Sequence, residues 1–161
     1  MNKVYPDEID EPGLNQLIQE FIHERYHPGS SAHNIPNLPP FYEKITIHTS
    51  AATTFHAPSD LSGIGGMKHE CIHAFKHWRN GPGRYDTMLV NIAHDDDNSS
   101  SVQELHGLGV AQACLFFSFT LDGVKYPCTL VHWFSHTGDG LVMPQTCILS
   151  SQNILAMVSL L

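Results

Sequence analysis

Between residues 10 and 26 the apolar positions Leu14, Leu17, Ile18, Phe21, Ile22 and Tyr26 return every three or four residues, the spacing of one buried helix face. Asp10 suits the N-cap of such a helix and Pro12 its first turn, while Pro28 and Gly29 stop it. Residues 30–40 carry Pro36, Pro39 and Pro40 among polar neighbours, a linker composition that leaves the helix as an appendage. Residues 44–48 and 52–56 are short and β-branched, with Ser50 and Ala51 between them, and are expected as a first pair of strands.

Residues 57–66 form a loop with three glycines that feeds a second helix, predicted over 67–79 and stopped by Gly81-Pro82-Gly83. A strand is expected over 85–92. Asp95-Asp96-Asp97-Asn98 and the three serines after it read as a solvated loop.

The clearest element is a hairpin over 110–135, because Asp122-Gly123 is a two-residue type I′ turn between two apolar runs. That turn sets Leu121 opposite Val124, Phe119 opposite Tyr126, Phe117 opposite Cys128, Leu115 opposite Leu130 and Ala113 opposite His132. The other face carries Gln112, Ser118, Thr120, Lys125 and Thr129, so a half-buried antiparallel sheet is expected. His132, on the apolar face, reads as a hydrogen-bonded core histidine. Pro127 implies a local sheet edge or bulge.

These elements predict an α+β fold: an N-terminal helix and a short middle helix on a small, mainly antiparallel β-sheet or partly open barrel. The division expected is 1–40 for the helix and Pro-rich linker, 41–140 for a compact module, and 141–161 for an irregular apolar tail.

With 161 residues the chain is the size of one ordinary domain. Sixteen acidic residues against eight Lys and Arg leave a formal charge of −8, which argues against a protein that grips nucleic acid by neutralising phosphates. Twelve histidines would carry that charge from −8 to +4 if all were protonated, so the balance responds to mild acid. Cys71, Cys114, Cys128 and Cys147 form no C-x-x-C pair and read as free buried thiols of a reducing compartment. No leader-like apolar core opens the chain. The tract 141–161 is interrupted by Pro144, Gln145, Gln152 and Asn153, so no membrane span is expected.

One motif raises an enzymatic reading. His69-Glu70-Cys71-Ile72-His73 matches H-E-x-x-H, in which two histidines one helical turn apart hold zinc and the glutamate acts as general base. On a helix, Met67, Cys71, Ala74, Phe75 and Trp78 form the apolar face and His69, His73 and His77 the opposite, solvent face, where no third ligand is supplied in the extended zincin pattern. The match therefore reads as fortuitous, with His69, His73 and His77 as exposed residues open to adventitious zinc. Neither a complete phosphate loop around Gly63-Ile64-Gly65-Gly66 nor a G-x-S-x-G elbow is present. Trp78, Arg84, Tyr85 and Trp133 are candidates for stacking on a base or peptide, but are expected in the core.

Three runs resemble a known family: Phe55-His-Ala-Pro-Ser-Asp-Leu-Ser-Gly-Ile-Gly-Gly-Met67, then Trp78-Arg-Asn-Gly-Pro-Gly-Arg-Tyr-Asp86, then residues 115–134 with Tyr126-Pro-Cys and His132-Trp-Phe. Their order and spacing are similar to the C-terminal module of fungal Plavaka-type transposase-like proteins, relatives of the Kyakuja, Dileera and Zisupton elements, over roughly residues 14–138. In that family the catalytic carboxylates belong to an RNase H-like core upstream. Where similar proteins carry arginines in the helix after the GGM run, this chain has His69 and His73. The resemblance implies a non-catalytic remnant or accessory module of a transposon-derived protein; the acidic charge adds the expectation of a protein partner, with nucleic acid met only within a larger transposase. The scattered free cysteines and the absence of a leader-like opening lead to the expectation of an intracellular location, cytoplasmic or nuclear. No catalytic residue and no cofactor is expected. The competing class is a zinc-dependent hydrolase with His69 and His73 as ligands, Glu70 as base and His77 or Glu104 as third ligand.

Overall fold

The computed structural model describes residues 2–28, 38–56, 66–77, 81–91, 108–134, 145–150 and 157–160. Ten strands and one α-helix occur among them, in the order β1 (Asn2–Val4), a 3-10 turn (Pro6–Glu8), α1 (Leu14–Tyr26), β2 (Ile45–His48), β3 (Ser50–His56), β4 (Met67–Phe75), β5 (Arg84–Tyr85), β6 (Thr87–Asn91), β7 (Leu108–Leu121), β8 (Val124–Phe134), β9 (Gln145–Ser150) and β10 (Met157–Leu160). One sheet runs β1-β2-β7-β8-β9 with β6 also on β7, and a second runs β10-β3-β4-β5. The fold is α+β and mainly antiparallel, built of open sheets rather than a closed barrel.

The chain divides into two compact units, Met1–Ile47 with Ser118–Tyr126, and His48–Phe117 with Pro127–Leu161. In the first, α1 lays Leu14 and Ile18 into a core shared with Phe41, Ile45 and Phe119, as its helical spacing predicts. Phe119 meets Phe21 and Phe41 edge-on at 6.3 and 5.2 Å and stacks on Tyr126 at 5.3 Å, in the offset and T-shaped arrangements aromatic quadrupoles favour. Asp10 is not the cap. Gly13 takes that place at φ 79°, and the preceding residues turn separately, the Tyr5 N–H donating to Glu8 Oε2 at 3.0 Å and the Asn15 amide to the Asp7 carboxylate at 3.1 Å.

The turn of the hairpin is as expected: Asp122 and Gly123 both have positive φ, 51° and 79°, between the end of β7 and the start of β8. Asp122 has a second role, accepting a 2.9 Å hydrogen bond from the Tyr26 hydroxyl at the end of α1. That bond, first among the causes, pushes the Tyr26 phenol up to about 12.

The second unit is centred on Ala51, Ile72, Val90, Ala113, Phe116 and Val131, with Tyr85, Trp133 and Cys147 packed against them. Tyr85 and Trp133 are thus core-packing residues, while Trp78 lies outside the described residues. His132 is half-buried rather than a core residue, whereas His48, which sequence spacing did not single out, is buried.

Four further expectations are corrected. The helix expected over 67–79 is not formed in its described part, 67–77. Met67–Phe75 is a strand, because Ile72 and Ala74 alternate inward and β3 pairs with it from Met67 to His73, which outweighs a helical reading of Met67, Cys71, Ala74 and Phe75. The segments 44–48 and 52–56 are strands but do not pair with each other; β2 joins β1 and β7, and β3 joins β4 and β10. Within 141–161, expected as an irregular tail, the described residues form two strands, β9 pairing with β8 and β10 with β3. Finally, the hairpin is not half-buried at its centre: Leu115 to Phe119 are all buried, and Thr129, assigned to a polar face, is 1% exposed. Pro127 precedes the described pairs of β8 with β9, which run from Cys128 to Trp133.

Of the four thiols, Cys128 alone is buried, Cys114 and Cys147 are half-buried and Cys71 is exposed, so the expectation of buried cysteines holds for Cys128. Burial pushes the Cys128 thiol up to about 12, which makes it inert at neutral pH.

Thr129 generates a prediction. Its buried hydroxyl has no hydrogen-bond partner among the described residues. Thr129→Val keeps the shape and removes an unsatisfied group, so it should raise stability by about 1 kcal/mol in urea denaturation. A loss of stability would show that the hydroxyl is satisfied in solution.

Candidate functional site

The H-E-x-x-H run and the Gly-Pro-Gly-Arg-Tyr-Asp run, which lie apart in the chain, meet in the second unit through the pairing of β4 with β5, Ala74 opposite Tyr85 and Phe75 opposite Arg84. Strand geometry decides what the first run can do. In a strand His69, Cys71 and His73 share one face and Glu70 takes the other, so the glutamate is turned away from the histidines it would serve. Four residues of strand also separate the His69 and His73 backbones by about 13 Å, against about 6 Å on a helix.

Their rings are engaged separately. His69 Nδ1 shares a 2.8 Å hydrogen bond with the Thr54 hydroxyl, its cross-strand partner on β3. His73 Nδ1–H donates to Asp86 Oδ2 at 3.0 Å, the direction an ionised carboxylate requires. His77 is exposed, beyond the end of β4, and Glu104 lies outside the described residues, as do the acidic run 95–98 and Gly63 to Gly65. No group of three His, Cys, Asp or Glu side chains able to hold a metal ion occurs among the described residues.

Asp86, missed as a site residue by sequence reasoning, is the centre of the cluster. The predicted strand over 85–92 is interrupted there, β5 ending at Tyr85 and β6 starting at Thr87. Its N–H donates to the His73 carbonyl at 2.9 Å, and its own carbonyl accepts the Ala113 N–H at 3.0 Å. Oδ2 accepts the His73 backbone N–H at 2.9 Å as well as the ring N–H, and Arg84 closes a two-point fork, Nε to Oδ1 at 2.9 Å and Nη2 to Oδ2 at 3.1 Å. Burial alone would push the carboxyl up, but the Arg84 and His73 hydrogen bonds outweigh it and hold Asp86 below the usual carboxylate range.

An imidazole oriented by a carboxylate is also the base of a catalytic triad, so the nucleophile must be sought. Cys71 shares the strand face of His73, two residues back. The His73 ring stacks on Phe75, two residues on, nearly parallel at 21° and 5.8 Å between centroids.

Gly83 explains the glycine of the motif. A Cβ there would stand 2.8 Å from the Phe75 carbonyl oxygen and 3.0 Å from that of Lys76, both backbone atoms with little freedom to move. Only glycine lets the chain pass this close to the end of β4 and present Arg84 and Asp86 to it.

The chain matches no family model, no curated protein and no solved structure.

The cluster predicts a pH-dependent contribution to stability. A carboxyl held low in the folded state stabilises it above its unfolded pKa of about 3.9, and that stabilisation disappears as pH falls through the folded value. Asp86→Asn should therefore cost about 1–3 kcal/mol at pH 7 in urea denaturation. The difference from wild type should shrink below about pH 4. A deficit that is the same at pH 7 and pH 3 would mean the charge of Asp86 is immaterial. Gly83→Ala should also destabilise, by about 1–3 kcal/mol.

Proposed function

We propose that this chain is a non-catalytic binding module, a remnant or accessory part of a transposon-derived protein, and that it works by contacting another protein. The observation that carries the reading is the closure of the Asp86 cluster. Both carboxylate oxygens, the backbone N–H and the carbonyl of Asp86 are engaged by His73, Arg84 and Ala113, which suits a structural clasp. The runs 55–67, 78–86 and 115–134, similar to the C-terminal module of Plavaka-type proteins, support the transposon origin. The formal charge of −8 supports a protein partner over a nucleic-acid duplex, which the module would meet only as part of a larger transposase. We place it in the cytoplasm or nucleus; no described helix is long and apolar enough to cross a membrane.

The competing zinc-hydrolase reading needs His69 and His73 on one metal with Glu70 beside it, and a strand separates all three. Two measurements test the proposal. Titrated with labelled duplex DNA at pH 7.5 and low salt, the protein should show no tight complex; strong binding that weakens steeply with salt would overturn the preference for a protein partner. Purified protein should carry less than stoichiometric zinc and no peptidase activity. Activity lost on Glu70→Gln with the metal retained would establish the hydrolase instead.

A further inference from the structure

The first unit holds a cavity of about 600 Å³ whose wall gathers Lys3, Lys44 and Lys125. Those are three of the five lysines in a chain of net charge −8. Strand geometry explains the gathering. Alternation puts Tyr42, Lys44 and Thr46 on one side of the chain entering and forming β2, and the β1 register sets Lys3 directly opposite Thr46. Continuing that register by two residues brings Tyr5 opposite Lys44, and the Lys44 ammonium indeed stands 4.9 Å from the Tyr5 ring centroid. Ser118, Phe119 and Thr120 of β7 and Lys125 of β8 also line the wall.

Three ammonium groups face one carboxylate, that of Glu43, so the wall carries a surplus of two positive charges. Neither Lys3 nor Lys125 has an ion-pair partner among the described residues. Lys44 is steadied by the face of Tyr5, which fixes an ammonium without neutralising it. Tyr42, beside them, is 77% exposed, a large aromatic ring with its surface open to a ligand. Lysines are compact point charges suited to phosphate, whereas planar carboxylates favour the forked guanidinium, and no arginine lines the wall. The volume falls within the range of small-molecule sites.

We propose that this cavity is a nucleotide-binding site, with phosphate groups held among Lys3, Lys44 and Lys125 and the base stacked on Tyr42. Phosphate beside an aromatic ring is the chemistry it recognises, and a free nucleotide or an exposed single strand would each supply it. The site lies outside the Asp86 cluster and asks nothing of duplex DNA, so it stands or falls separately from the function proposed above.

The test is calorimetric titration of the whole chain with ADP, adenosine, pyrophosphate, a short oligothymidylate and a Glu/Tyr-rich peptide. ADP or the oligonucleotide should bind saturably, with adenosine and pyrophosphate each about tenfold weaker or more, because each lacks half of the recognised chemistry. Tighter binding of the oligonucleotide would identify a strand as the source, and tighter binding of ADP a free nucleotide. The double variant Lys44→Gln, Lys125→Gln should weaken binding by about tenfold or more and flatten its salt dependence. Tyr42→Ala should weaken it several-fold while leaving pyrophosphate unaffected. Thermal melting of each variant should match wild type, since these side chains are exposed. Absence of saturable binding, equal affinity for pyrophosphate and ADP, undiminished binding by the double variant, or tighter capture of the acidic peptide would overturn the proposal.

Discussion

The second unit turns on one residue that belongs to two sheets at once. The backbone N–H of Asp86 bonds to β4, in the sheet β10-β3-β4-β5, while its carbonyl takes the N–H of Ala113 on β7, in the other sheet. A chain that leaves one sheet for another must satisfy the backbone groups of the corner, because buried peptide groups without partners are costly. Asp86 meets that requirement and adds its carboxylate, which binds the His73 backbone and ring and the Arg84 fork. Thr49 makes a smaller corner of the same kind between β2 and β3, its carbonyl accepting the Ala74 N–H at 3.2 Å.

The first unit solves a different problem, that of holding a short helix and a hairpin tip with few residues. Aromatic contacts around Phe119 supply the apolar share, and the bond from Tyr26 to Asp122 ties the helix end to the turn. The strand that buries Ile45 brings its neighbours Lys44 and Thr46 to the cavity wall, so the lysine cluster is a by-product of strand alternation.

How far the sequence foretold this depends on whether the signal was local. The helix Leu14–Tyr26 was legible in its 3.6-residue stripe, and the hairpin in Asp122-Gly123, because both are set by neighbouring residues. Met67–Phe75 was read with the wrong period. Its apolar residues satisfy helical spacing as well as alternation, and only pairing with β3, over ten residues away in the chain, decides between them. Placing the histidines on a strand in turn removed the zinc geometry that the motif alone suggested. Asp86 and the lysine cavity were not legible, since Arg84-Tyr85-Asp86 looks like an ordinary strand start and Lys3, Lys44 and Lys125 are scattered along the chain. The one available hint was the Gly-Pro-Gly before Arg84, an unusual demand for close backbone approach that Gly83 turns out to meet.

A carboxylate used as a clasp and one used in catalysis differ in how firmly they hold their partners. Whether Asp86 acts as a clasp is read out by nitrogen-15 NMR of the histidine rings together with amide hydrogen exchange. Near neutral pH, neutral His73 should carry its ring proton on Nδ1, bonded to Asp86, and the amides of His73, Asp86 and Ala113 should exchange slowly and together. A neutral His73 ring with its proton on Nε2, or an Asp86 amide that exchanges as fast as an open loop, would contradict the account and leave His73 available for chemistry.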